Sequence, residues 1–171
     1  MNKIKNFIAA SFLAMAFALN ACSCISPTSK TKGRDIASIC KEKSTYEKEK
    51  VINTPEEAAK VILQYKNAYC ENAAKVIYFW LHNKGYKPIV ARGKSQGLGF
   101  HHYVFAFKEN GLYGSVDNIW GYTQPRYQTL DNLFESLAKK VGIQCVKCDK
   151  ILTEISDEEI RQSIKNLDTA N

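Results

Sequence analysis

A chain of 171 residues, 45% hydrophobic and 24% charged, is long enough to bury one substantial core and too short for a second full domain. Its formal charge is +7, and two of those units, Lys3 and Lys5, precede a long apolar run at the start. The remaining basic residues form no dense cluster interleaved with aromatics, so the composition argues against nucleic acid as a partner and leaves a solvated basic surface, with mild attraction to anionic polymer or lipid.

The first segment, 1–21, has the pattern of a secretory signal: basic residues, then a nearly continuous apolar stretch from Phe7 to Leu19 that is too short to span a bilayer. Leu19-Asn20-Ala21-Cys22 resembles the lipobox of bacterial lipoproteins, in which cleavage precedes the Cys and its sulfur receives a diacylglycerol. The resemblance implies that Cys22 is a lipidation site. It places the domain on the exported side of a cell membrane or outer membrane, with the membrane as a partner through the anchor. Several acyl chains, at about 0.8 kcal/mol per buried methylene, would make that attachment effectively permanent. An uncleaved export signal followed by an ordinary cysteine is the alternative. Residues 22–34 are polar and rich in Ser, Thr and Lys, with Pro27 and Gly33, which is the composition of a tether to a folded domain over 35–171.

Thr54-Pro55-Glu56-Glu57 supplies an N-cap, a proline at the first helical position and a reciprocal Glu, and it predicts a helix over about 55–65. A second helix is expected from Cys70 to Lys84, ending at Gly85. On it Cys70, Ala73, Ala74, Ile77 and Leu81 share one face, so Cys70 points with the core stripe. Pro88 to Arg92 is a strand candidate, Gly93 to Gly99 a loop, and His102 to Phe107 a strand rich in aromatic and branched residues. Asn110-Gly111 signals a tight hairpin returning through Leu112 to Asp117. A Trp- and Tyr-containing loop to Arg126 follows, in which Trp120 and Tyr122 line a groove or simply pack. Then come a helix over about 130–140 capped by Thr129, a short strand pair around Cys145, and a C-terminal helix opened by the Ser156/Glu159 capping box.

The six cysteines divide by role. With Cys22 acylated and Cys70 kept reduced, Cys24, Cys40, Cys145 and Cys148 remain, and four thiols allow three pairings. Cys145 and Cys148 form a CxxC without the βαβ surroundings of a redox centre or the second CxxC of a zinc ribbon. A structural disulfide between them is the favoured expectation, reduced bystanders the alternative in a compartment that is not oxidising. Zinc held by His101 or His102 with Cys145 and Cys148 is a third use of the same residues.

The hairpin turn fixes a register. With a two-residue turn, Glu109 faces Leu112 and Val104 faces Asp117, so His102 and Asp117 lie on one side as diagonal neighbours, at most about 7–8 Å apart between Cβ atoms. His101 falls on the other side, and a turn longer by one residue would exchange the two histidines. Cys, His and Asp are the groups needed to ionise and position a sulfur nucleophile. A thiol with an ordinary pKa near 8.5 becomes a thiolate beside an imidazolium at a helix N-terminus, and Cys70 is placed to have both. Its own N–H can face an oxyanion, and the carboxamide of Gln64, six residues earlier, is a second candidate donor. Singly, each of these residues reads as core or turn. Their order and faces together point to an active site.

At these residues the chain resembles the transglutaminase-like, papain-related cysteine hydrolase superfamily. Tyr69-Cys70-Glu71-Asn72-Ala73-Ala74 is similar to its nucleophile helix, and His102 to Phe107, Gly111 and Val116-Asp117-Asn118 are similar to its His and Asp strands. Ala68-Tyr69 stands where Gly is usual before the Cys, and Tyr103 where many members carry Trp. The resemblance spans about 54–120 and implies an α+β fold with the nucleophile helix packed on an antiparallel sheet. It also implies attack by Cys70 on an amide of a protein or peptide, either a peptide bond or a glutamine carboxamide, through an acyl-thioester; water as acceptor gives a peptidase or amidase, an amine a transglutaminase-like acyltransferase. His102 would transfer protons and Asp117 would orient it, and neither cofactor nor metal is called for. The competing expectation is a catalytically inactive surface lipoprotein that keeps the fold as a binding or envelope-assembly module.

Overall fold

Asn110 and Gly111 both take positive φ, 50° and 82°, as a two-residue type I′ turn requires. In the computed structural model, which describes residues 35–41, 43–96 and 101–170, that turn pairs Glu109 with Leu112 and Phe105 with Val116. The expected register therefore holds. Residues 1–34, to which the expected export signal, the lipidation site Cys22, Cys24 and the expected tether belong, lie outside the described residues. Among the described residues, no helix is long and apolar enough to cross a membrane.

The elements in chain order are α1 (Ile36–Lys41), α2 (Thr45–Lys48), α3 (Pro55–Ile62), a 3-10 turn (Leu63–Tyr65), α4 (Cys70–Leu81), β1 (Ile89–Ser95), β2 (His101–Glu109), β3 (Leu112–Asp117), β4 (Gly121–Tyr127), α5 (Leu130–Lys139), β5 (Val146–Leu152) and α6 (Asp157–Thr169). The strands form one antiparallel sheet in the order β4-β3-β2-β1-β5. Alternation along β2 divides the core. Phe105 and Phe107 face Val76, Ile77 and Leu81 of α4, whereas Val104 and Ala106 face Leu133, Phe134 and Leu137 of α5. Helices α3, α4 and α6 thus cover one face, and α5 covers the other.

The capping boxes at Thr54/Glu57 and Ser156/Glu159 form as expected, as does the Thr129 cap, and Gly85 takes a positive φ of 82°. Helix α4 is buried more completely than its single stripe implied, with Ala73, Ala74, Val76, Ile77, Trp80 and Leu81 all enclosed between the sheet and α6. The indole N–H of Trp80 donates to the Thr45 carbonyl at 2.9 Å and ties α2 to this helix.

Three expectations are corrected. The segment expected as a loop from Gly93 is strand as far as Ser95. The stretch from Gly121 to Tyr127 is the edge strand β4 rather than a loop, and a single strand, β5, pairs with β1 in place of a strand pair around the CxxC. Gly93 explains the first. It lies opposite His102 in the ladder, and a Cβ there would sit 2.3 Å from Cδ1 of Phe134, so the absent side chain is what lets the α5 ring reach the sheet.

Phe134 is almost wholly buried and cannot swing aside. Gly93→Ala should therefore cost about 1–3 kcal/mol, from overpacking. The expected outcome is a lowered melting temperature in thermal unfolding, partly restored when Phe134→Leu is added.

Candidate active site

Three segments meet at one end of the sheet. The β2–β3 ladder runs no further than Phe105–Val116, so the sheet opens toward the start of β2. The tip of α4 enters there. Tyr69 precedes that helix with no side-chain cap, which leaves the first N–H groups of α4 directed at the site with their partial positive charge. Cys70, the first residue of the helix, is half-buried. Its sulfur interacts with the His102 ring and with the backbone N–H groups of Tyr103 and Glu71.

His102 and Asp117 lie on the α5 side of the hairpin, 3% and 1% exposed, with Nε2 to Oδ1 at 3.5 Å. His101 is exposed on the other side, as the register predicts. The carboxylate has a second task. Its Oδ1 accepts the N–H groups of Ile119 and Trp120, each at 2.8 Å, and so builds the turn that leads to β4. That oxygen already serves two N–H donors, and the ring stands from it at ion-pair distance. Trp120 packs edge-on against His102 with centroids 4.9 Å apart, and shields the pair from water.

Electrostatics follow from this packing. Burial pushes the Cys70 thiol up, but the His102 ring and the two N–H groups outweigh it, and the thiol ionises below its ordinary value. Burial pushes the His102 imidazole down, yet Asp117 and Cys70 together raise it to about 9. At neutral pH the imidazole is protonated, and beside it the Cys70 thiol ionises more readily than an ordinary thiol. With Nε2 turned to Asp117, Nδ1 is the ring nitrogen left for the sulfur.

Asn118 enters the sequence motif only as the neighbour of Asp117, and its role in the structure is larger. Its side-chain amide, almost fully buried, donates to the Tyr65 carbonyl at 3.0 Å and to the Ala68 carbonyl at 2.8 Å. Those carbonyls belong to the turn that delivers Cys70. Partners some fifty residues away leave no local signal, and Asp-Asn after a strand reads as an ordinary turn.

The remaining expected residues are placed as follows. Gln64 sits exposed on the 3-10 turn and is not among the side chains lining the cleft beside Cys70. Cys145 and Cys148 are separate free thiols. They are three residues apart where the chain enters extended β5, at about 3.3 Å per residue, which exceeds the ~7 Å between Cα atoms that a disulfide tolerates. Cys40 is a buried free thiol in α1. Among the described residues no three His, Cys, Asp or Glu side chains gather closely enough to hold a metal ion, so Cys145 and Cys148 form no such group with His101 or His102. His82, near the end of α4, is half-buried and stacked on Tyr78 and Phe79. A scan against protein-family models finds no match to this chain, and a search of curated proteins finds none.

Asp117→Asn removes the charge that holds the imidazolium. The His102 pKa should fall from about 9 toward its ordinary value, so the alkaline limb of Cys70 reactivity moves to lower pH. The thiol, less assisted, titrates higher, and the window narrows from both sides. A pH profile of Cys70 alkylation by iodoacetate, whose carboxylate the imidazolium attracts, measures both limbs. Any turnover should drop by about 100-fold or more.

Proposed function

We propose that this chain is an exported lipoprotein whose domain is a transglutaminase-like cysteine hydrolase, acting on an amide of a protein or peptide through an acyl-thioester on Cys70. The observation that carries the reading is the Cys70 thiol held below its ordinary pKa by His102, with Asp117 directly behind the ring. A structural cysteine has no need of that arrangement.

The steps follow from the groups. The Cys70 thiolate attacks the amide carbon, and the oxyanion is received by the Cys70 backbone N–H at the head of α4. His102, as imidazolium, gives its proton to the leaving amine while the C–N bond breaks and the thioester remains. His102 then accepts a proton from the incoming water or amine, the new bond to carbon forms, and the thiolate leaves. Asp117 keeps the ring in one orientation throughout and stabilises its charged form.

Iodoacetamide at pH 6 tests the nucleophile. Cys70 is expected to alkylate at least about tenfold faster than Cys145 or Cys148, read by peptide mass, because only Cys70 has an imidazolium beside it. His102→Ala should erase the difference, and Cys70→Ala should remove labelling and turnover together. A Cys70 that reacts no faster than the other two would leave the domain as a binding module.

The anchor is tested separately. Cys22→Ser should release the protein from membranes in fractionation, and the mature N-terminal peptide of the unaltered protein should carry the mass of a diacylglyceryl group.

A further inference from the structure

We infer that the cleft accepts an amide whose acyl side carries an uncharged, apolar side chain, packed between Tyr69 and Ile119, and that it disfavours ammonium groups, so that water discharges the thioester. The inference rests on the thiol chemistry proposed above and names its substrate class. Tyr69 is 79% exposed and Ile119 48%, although both are large apolar side chains. They flank the nucleophile from two segments: Tyr69 immediately precedes Cys70, and Ile119 follows the Asp117–Asn118 pair. With Ala68 and Tyr103 they line a cleft of about 430 Å³ that also contains Cys70 and His102. Two exposed apolar side chains that line one cleft with a nucleophile offer it a surface for a ligand.

Charge decides the rest. No carboxylate is among the side chains lining this cleft. The acidic groups around it are engaged elsewhere: Asp117 is buried behind His102, Glu71 is bound to Lys75 at 3.0 Å, and Asp149 is bound to Arg92 at 2.7 Å. Positive groups stand close by. His102 carries a proton at neutral pH, Lys140 lies 5.6 Å over the Trp120 ring that packs on His102, and Lys94 is the ladder partner of His101. A lysine side chain entering as substrate or acceptor would lose hydration without gaining a carboxylate partner, and would meet the like charge of His102. Water meets neither obstacle. Its attack forms the C–O bond, His102 takes its proton, the C–S bond breaks, and a carboxylic acid leaves the regenerated thiolate.

Peptidyl chloromethyl ketones that differ only in the residue next to the ketone test this on the full chain. Each alkylates the thiolate, forming an S–C bond with loss of chloride, so no substrate needs to be known. The leucyl probe is expected to react with Cys70 at least about tenfold faster than the lysyl probe, with each rate divided by the iodoacetamide rate. Ile119→Asp supplies the missing anion and should bring that ratio to about one or below. Tyr69→Ala should reduce it severalfold, whereas Tyr46→Ala, at an exposed aromatic away from the cleft, should not change it. A ratio near one in the unaltered protein, or a ratio indifferent to both cleft substitutions, overturns the inference while leaving Cys70 a nucleophile. Loss of iodoacetamide selectivity itself would instead sink the thiol chemistry beneath it.

Discussion

The two hydrogen bonds from the Asn118 amide to the carbonyls of Tyr65 and Ala68 join the parts of this protein that must agree. One partner sits at the end of the His–Asp hairpin and the other in the turn before α4. Neither element can shift without breaking bonds made away from water, where an unmet carbonyl is costly. Asp117 adds a second constraint from the adjacent position, since its Oδ1 accepts two N–H groups of the following turn and faces His102 as well. One dipeptide thus fixes the helix tip, shapes the loop and orients the imidazole.

Burial alone would oppose the charged state of this site. It disfavours a thiolate and an imidazolium alike, and each charged form is favoured by the other and the thiolate also by fixed dipoles. The N–H groups of Tyr103 and Glu71 are already aimed at the sulfur, so little must reorganise when charge develops. Trp120 contributes by keeping water from the ring pair.

Much of the fold was legible because several signals were local. Asn110-Gly111 dictates a turn type, the turn type dictates a register, and the register selects His102 over His101. The capping boxes worked for the same reason: their partners are three residues apart. What escaped was set by distant partners. Gly93 carries a loop signal by itself and is strand because Phe134 needs the space opposite His102. Strand β4 holds Gly121, Gln124, Pro125 and Arg126 and lacks the apolar alternation of a central strand; it is ordered by pairing with β3. Helices α1 and α2 are too short to show a period, and depend on contacts such as Trp80 with Thr45. At the site, the Cys–His–Asp set could be read in order, whereas the Asn118 clamp had no trace near its own position.

The composition of the two outermost strands has a consequence for how the molecule behaves among its own kind. Both flanks of a five-stranded sheet offer backbone groups to any passing extended chain. On one flank Pro125 lacks a donor, and the ladder beside it is already displaced between Tyr113 and Ser115. On the other, Lys147, Asp149 and Lys150 present exposed charge along β5. Crowded copies thus find no flat, apolar border on which to stack, and the sheet is disposed to end where its own sequence ends it.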